Sequence, residues 1–512
     1  MFEIKDLFYK WLPVYIKLPV LFILLFTILT ANGVFLGNTT DMYSSLGVYT
    51  ESFTMAYNAL YIGMGLGLIF HVRLKMRFTN KTLLLTGLSA MLILNGICAL
   101  TSEPAVIIAC CLLLGFLKIC ALIETYIIWL IVWSKKGERS RSYPFIYFTA
   151  LAGLYLVTWL TTHLAYLYNW RLAYGVIIIL LLVSLLLTLL FVENHGLNRK
   201  FPLYQLDLTG LLLLGTGMMF LNYLIVYGKV ENWFYSVRIT ASLIAAIMAL
   251  LLFMIRQLKV KRPFYNLALY KDPNFRTGLL YFLLLGVFIP STFQSAFAVN
   301  ILHFEMVRNA ELNLYLIPGI FAGALFCYWY YAKGFDTDLI IIIGFSAMVA
   351  YHMFMYSYFV SDLNMNAFWL PSLVKGFGMG VLYISIGLYT SATLNMSSVL
   401  TASGSSILFR SFLGSGFFSA LYTYLLYVQR IKHFNRLVEL AEVSTFQPNG
   451  TAGPAEQFRN LQGQSILAAS KELTGYIIIA GLLLVLLLIV RLVVKRISVI
   501  PGLTHQHVAP QT

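Results

Sequence analysis

Apolar and polar positions along this chain do not alternate; they come in blocks. Fourteen runs of about 20 apolar residues, each long enough to cross a bilayer as a helix, are separated by short polar breaks. Their approximate limits are residues 18–37, 53–71, 82–101, 104–133, 144–167, 172–192, 206–227, 237–256, 277–300, 313–332, 338–360, 367–390, 402–427 and 473–493. The blocks predict an all-α polytopic membrane protein with 14 transmembrane helices. The first run has no small-residue cleavage site behind it and many runs after it, so it reads as a retained span and not a signal peptide. One break is long, about 428–471, between the last two spans. There QRIKHFNRLVELAEV places Ile431, Phe434, Leu437 and Leu440 at helical spacing, PNGTAGP interrupts, and AEQFRNLQGQSILAAS follows. This predicts two short amphipathic helices around a breaker, serving as a cap or as a docking element for a partner. Asn449-Gly-Thr451 in the breaker matches a glycosylation sequon.

Composition agrees with the blocks. The chain has 512 residues, 60% hydrophobic and 11% charged, against about 25% charged in soluble domains. Its net charge of +15 would suggest nucleic acid if position were ignored, but the charges sit in the breaks. With the N-terminus placed in the cytoplasm, most Lys and Arg fall in inside segments: Lys5, Lys10 and Lys17; Arg73, Lys75, Arg77 and Lys81; Lys135, Lys136, Arg139 and Arg141; Arg199 and Lys200; Arg256 to Arg276; Lys333; and Arg491 to Arg496. That bias puts both termini in the cytoplasm, supports an even number of spans, and leaves no nucleic-acid partner to invoke. Cys98, Cys110, Cys111, Cys120 and Cys327 all fall in predicted spans without metal or disulfide spacing and read as small buried hydrophobes. No cofactor motif, phosphate loop or metal pair is present. Gly63-Met-Gly65-Leu-Gly67, Gly376-Phe-Gly378-Met-Gly380 and Gly414-Ser-Gly416 read as close helix packing. No nucleophile, base and orienting acid occur together at one depth, which argues against a membrane enzyme.

The informative residues are ionisable groups inside spans. Each costs at least ~2.5–3.5 kcal/mol near the centre and so faces protein or water. Lys118 lies in the fourth span, Lys375 in the twelfth and Arg410 in the thirteenth. Glu124 follows Lys118 by six positions, roughly 9 Å along the helix and about 240° around it, so the two need separate partners. A Glu124–Arg410 pair fits their expected depths, as a static bridge or as part of a mechanism. Asn32, Tyr57, Asn58, Trp159, His163 and Gln294 are polar positions in or at the edge of spans. Each is either helix-to-helix glue or the lining of a substrate path.

Several local motifs carry a family resemblance. Met55-Ala-Tyr57-Asn-Ala-Leu60, Tyr168-Asn-Trp170-Arg171, Leu206-Asp207-Leu-Thr-Gly210 with Tyr227-Gly228 and Trp233, Lys375-Gly-Phe-Gly378-Met-Gly380, and Leu408-Phe-Arg410-Ser-Phe-Leu-Gly414 occur in order along almost the full length. In order and spacing the chain resembles the fourteen-helix drug:proton antiporter branch of the major facilitator superfamily. The resemblance implies two six-helix bundles (1–200 and 263–512) with two inserted helices between them (201–262), rocking about a central site. It implies a plasma-membrane (bacterial inner-membrane) exporter of amphiphilic or drug-like small molecules, driven by protons. It also implies a periplasmic adaptor and an outer-membrane channel as partners. It places Lys118 and Lys375 on matching helices facing the cavity, gives gating roles to Arg77, Asp207 and Arg410, and leaves Glu124 as the proton-coupling residue by elimination. The chain departs from the family at Met76, where a gating aspartate is usual, in the fifth helix, where only Gly153 remains of a glycine-proline motif, and near Asn32, where a first-helix aspartate is expected. The alternatives are a dedicated organic-anion exporter or symporter, and a membrane interaction protein without transport.

Overall fold

The computed structural model describes residues 8–9, 11–35, 39–133, 139–195, 207–260, 263, 265–444 and 454–499. The spans are α1 (Val14–Thr30), α2 (Thr50–Lys75), α3 (Asn80–Leu100), α4 (Pro104–Trp133), α5 (Arg139–Leu167), α6 (Trp170–Phe191), α7 (Leu208–Tyr227) and α8 (Val237–Lys259). They continue as α9 (Pro273–Phe288, then Thr292–Asn300), α10 (Met306–Leu314, then Leu316–Ala332), α11 (Thr337–Tyr358), α12 (Trp369–Ser391), α13 (Met396–Ser444) and α14 (Pro454–Val499). Thirteen of these are long and apolar enough to cross a membrane, and α1 is a shorter apolar helix. The predicted count of fourteen therefore holds. Among the described residues there is no β-strand, and one isolated antiparallel bridge joins Phe8 to Val192.

The helix starts follow local chemistry. Thr79, Asn169, Asp207, Asp272 and Asp336 each turn a side-chain oxygen onto a backbone N–H of the first turn, satisfying donors that the helix itself leaves free. Arg73 and Lys75 end α2, and Arg256 and Lys259 end α8, where cations meet the negative end of the helix dipole.

Four spans depart from a single continuous α-helix of the expected length, α10 only by an interruption at Tyr315. The first was expected to reach residue 37, yet α1 stops at Thr30. Gly33 there adopts φ +76, and a Cβ on it would stand 2.5 Å from Leu114 Cδ1, so the backbone presses against α4 where only glycine fits. In α9 the break falls at Ile289–Ser291; Pro290 has no N–H to continue the ladder. In α13 the segment Leu408–Gly416 is π-helical.

Most of α1–α6 shares one hydrophobic core, from Phe8 to Val192. A second core joins α9 to α14, with Leu151 of α5 reaching into it. Helices α7 and α8 pack on α2 and α13 through Leu66, Leu214, Phe253 and Phe412. Leu186 and Leu189 of α6, Ile247 and Leu251 of α8, and Leu483 and Leu487 of α14 remain exposed, as side chains that face lipid must.

The two halves share a packing device. A Cβ on Gly63 (α2) would lie 2.1 Å from Leu112 O (α4), and one on Gly115 (α4) would lie 2.0 Å from Leu60 O (α2). In the other half, Gly319 (α10) and Gly376 (α12) stand in the same relation to Leu373 O at 2.1 Å and Leu316 O at 2.2 Å. Backbones this close tolerate no side chain, and dispersion between them drives the helix pair together. The glycine runs thus serve packing, as their sequence suggested.

The long break between the last two spans differs from expectation. It does not form separate short helices: α13 continues unbroken to Ser444, and α14 begins at Pro454 and runs 46 residues, about 69 Å at the α-helical rise. No proline interrupts Phe417–Ser444, and the apolar stripe at Ile431, Phe434 and Leu437 continues the span's own phase, so nothing stops the helix. The two extensions form a hairpin, with Phe434 and Phe458 rings 5.5 Å apart and His433 Nε2 2.6 Å from Glu472 Oε2. The sequon Asn449-Gly-Thr451 lies outside the described residues, as do Lys5, Lys10, Lys135, Lys136, Arg199, Lys200, Lys261 and Arg262 of the charge pattern.

Candidate functional site

All four intramembrane charges lie inside the protein, but they do not form one cluster. Glu124 of α4 is 2% exposed. Its Oε2 accepts a hydrogen bond from Lys75 Nζ at the end of α2, and His71 Nε2 stands 3.2 Å from its Oε1. The expected Glu124–Arg410 pair is not formed. The last turn of α2 presents two basic groups to α4 because Gly63 and Gly115 hold those helices together, so Glu124 is neutralised within its own half.

Lys118 and Lys375 have parallel roles. Lys118 Nζ donates to Leu29 O at 2.6 Å and to Asn32 Oδ1. These acceptors lie where α1 breaks. Lys375 Nζ donates to Ser291 Oγ at 2.6 Å, where α9 breaks, and stands 4.6 Å from the Tyr351 ring centre. His352 Nε2 is 3.3 Å from Phe288 O at the same break. Interrupted helices leave carbonyls unpaired, and a cation at the C-terminal end of a helix is favoured by its dipole. The reciprocal glycines set the register between halves: Gly115 corresponds to Gly376. Lys118 lies three positions after its glycine and Lys375 one before. The lysines occupy matching helices one turn apart, not equivalent positions.

Arg410 is different. Its guanidinium lies 4.6 Å from the Tyr383 ring centre (α12) and 5.7 Å from those of Tyr147 (α5) and Phe282 (α9). Its Nε is buried without a hydrogen-bond partner, and among the described residues no carboxylate lies within ion-pair distance of it. Tyr383 and Tyr147 are 6.0 Å apart. Tyr57 and Tyr61 share a 2.9 Å hydrogen bond, and both Tyr61 and Tyr383 interact electrostatically with Arg410. The Tyr155 (α5) hydroxyl is 3.8 Å from Met379 Sδ of α12. Tyr57, Tyr61, Tyr147, Tyr155 and Arg410 are mid-span yet only half-buried. Rings from α2, α5 and α12, those of α2 and α5 only partly buried, thus gather near one cation between the halves.

The remaining expected residues are dispersed. Asn58 is 3% exposed and its Nδ2 donates to Asn222 Oδ1 of α7 at 2.9 Å, fastening α7 to α2. Gln294 accepts from the Tyr351 hydroxyl at 2.6 Å, beside Lys375. The Trp159 and His163 rings lie 5.2 Å apart with their planes tilted by 45°, and neither Trp159 Nε1 nor His163 Nδ1 has a hydrogen-bond partner among the described residues. Arg77 is exposed at the α2–α3 turn. Asp207 caps α7 and accepts from Arg256 Nε at 2.7 Å and Gln257 Nε2 at 3.0 Å, clipping α7 to α8. Burial alone would raise its carboxyl, but those bonds and the Gly210 amide hold it below the usual range.

Two open cavities, about 450 and 370 Å³, flank α7 and α8 and not the tyrosines near Arg410. Among the described residues no group of three His, Cys, Asp or Glu is placed to hold a metal ion. Sequence reasoning missed Lys75, His71, Ser291, Tyr61, Tyr147, Tyr155 and Tyr383. The available signal was tyrosine at four-residue spacing, Tyr57/Tyr61 and Tyr143/Tyr147, which puts polar tips on one face of an apolar helix.

Thirteen long apolar helices, the shorter apolar α1, reciprocal glycine contacts and charge buried inside the spans define a multi-pass integral membrane protein. The Major Facilitator Superfamily model matches residues 21–420, and the chain belongs to that superfamily. It is similar to the multidrug export protein EmrB of Escherichia coli strain K12 and of O157:H7, 24% identical over 266 residues covering 50% of each chain. The chain thus spans about half the length of the curated relatives it matches. Its fold resembles tetrameric PepTSo2 (TM-score 0.59, 12% identity, 94% of this chain and 99% of that one). It also resembles the human organic anion transporter MFSD10 (TM-score 0.52, 12% identity, 90% and 100%).

Proposed function

We propose that this chain exports amphiphilic small molecules across a plasma membrane, such as a bacterial inner membrane, by alternating access. Residues 1–200 and 263–512 would be the moving halves and residues 201–262 a lateral addition. The carrying observation is that interior cations cap the breaks in α1 and α9, while half-buried tyrosines of the first half meet the buried Tyr383 of the second around Arg410. Irregular backbone is tolerated at membrane depth only where protein or a water-filled cavity receives it, and transporters place substrate at such breaks. The EmrB likeness supports export over uptake. Proton coupling is assigned to Glu124, a buried carboxylate beside the buried His71 imidazole, so that a proton exchanged there changes the charge of the pair. The α13–α14 hairpin offers a surface for a periplasmic adaptor leading to an outer-membrane channel.

Inside-out vesicles with an imposed pH gradient test the reading. Wild type should accumulate an amphiphilic dye when the lumen is acidic, and Glu124→Gln should lose that dependence while staying folded. Normal gradient-driven transport by Glu124→Gln removes Glu124 from coupling. Absence of any flux of amphiphiles by wild type overturns the function.

A further inference from the structure

Among the described residues, Lys118, Glu124, Lys375 and Arg410 lie inside spans together with the imidazoles of His71 and His352, and three of those four charges are cations. Lys75 and His71 neutralise Glu124 locally. Lys118 and Lys375 are spent on neutral oxygens at the helix breaks. Arg410 alone meets only ring faces on its described side, with Nε unfilled. A guanidinium stays protonated even when desolvated, so this site carries a full positive charge. A buried donor without an acceptor is costly, and its natural complement is a planar oxyanion that takes two N–H bonds at once. The Tyr383, Tyr147 and Phe282 rings around it supply flat apolar surface. The same charge repels a cationic amphiphile.

The backbone fits this role. Arg410 is the third residue of the π-helical segment Leu408–Gly416, a geometry that recurs at functional sites because it re-aims side chains and leaves backbone groups loosely paired. That segment is wedged closely at two points: a Cβ on Gly286 of α9 would meet Gly414 Cα at 2.4 Å, and one on Gly416 would meet Asn58 Oδ1 at 2.8 Å. Packing against both halves thus fixes where Arg410 points.

We propose that Arg410, with the tyrosines about it, is the head-group subsite for an organic carboxylate carrying an aromatic or acyl body. This rests on the amphiphile-transport reading and narrows it to anions. Arg410 then binds substrate instead of gating.

Matched probes test it: pyrenebutyrate, pyrenebutanol and a pyrenebutyl-trimethylammonium salt, bound to the full chain in nanodiscs with empty discs subtracted. Wild type should bind the carboxylate at least tenfold tighter than the alcohol and the cation most weakly. Arg410→Gln should weaken the carboxylate about 30-fold, as expected for loss of a charge-assisted pair, and the alcohol less than threefold. Arg410→Lys, which keeps the charge but loses the planar fork, should fall between them. If Arg410→Gln does not elute as a folded monodisperse species, the wild-type ranking and Arg410→Lys decide. A wild type that binds all three probes alike, or the cation best, overturns the anion assignment and leaves amphiphile transport standing. A wild type that binds none overturns both.

Discussion

Lys75→Met tests how the buried carboxylate is held. The Glu124 side chain is 1% exposed, whereas that of Lys75 is 28% exposed. A surface pair would be worth about 0–1 kcal/mol, but removing one partner of a buried pair costs about 3–5 kcal/mol, because the remaining charge loses its compensation. Water reaches the ammonium of Lys75, and His71 lies 3.2 Å from the other oxygen, so the lower end applies: about 3 kcal/mol, or roughly 150-fold in the folding equilibrium. Glu124→Gln leaves no charge stranded, since Lys75 can turn to water, and should cost about 1 kcal/mol. The double variant Lys75→Met/Glu124→Gln should therefore be more stable than Lys75→Met alone, with a coupling energy of about 2 kcal/mol or more. Denaturant unfolding in detergent micelles, followed by tryptophan fluorescence, measures all four species. Additive losses, or a Lys75→Met chain as stable as wild type, would refute the claim that the ion pair compensates a desolvated carboxylate.

Further outcomes follow from the same structure. Gly115→Ala drives a methyl to 2.0 Å from Leu60 O, and Gly319→Ala drives one to 2.1 Å from Leu373 O; each should cost about 1–3 kcal/mol, read as a lowered Tm, while Gly96→Ala, with nothing within 4 Å, should not. Asp207→Asn removes the charge that Arg256 and Gln257 clamp and should cost about 2 kcal/mol, read as faster hydrogen exchange at the start of α7. Because the folded Asp207 carboxyl titrates below its ordinary value, its stabilisation is complete above that ordinary value and is lost as pH falls through the folded one; the wild-type clip should thus persist at mildly acidic pH where Asp207→Asn is already open. Lys118→Met leaves the Leu29 carbonyl without its donor and should abolish dye transport at a stability cost of about 1–3 kcal/mol; full transport by this variant would separate the α1 break from function.

Apolar run length alone determined that the chain crosses a bilayer fourteen times, because a helix must satisfy its own backbone in lipid and needs about 20 apolar residues to span it. The cost of Lys118, Glu124, Lys375 and Arg410 in an apolar run also marked them as interior residues, and all four lie within the protein. Which partner each one meets was not legible. Lys75 reads as one more topology charge at the end of α2, yet the close approach of Gly63 and Gly115 brings it onto Glu124. Asn58 reads as a cavity residue beside Tyr57, but one position further along a helix is about 100° around it, and that rotation turns it to α7. Pro290 marks the break in α9 in the sequence itself, but that Leu114 presses on Gly33 after α1, and that Lys375 reaches Ser291 at the α9 break, only the packing decides. Pairwise partners lie on helices tens to hundreds of residues apart, and a periodic apolar pattern says which face turns inward without saying what it will find there.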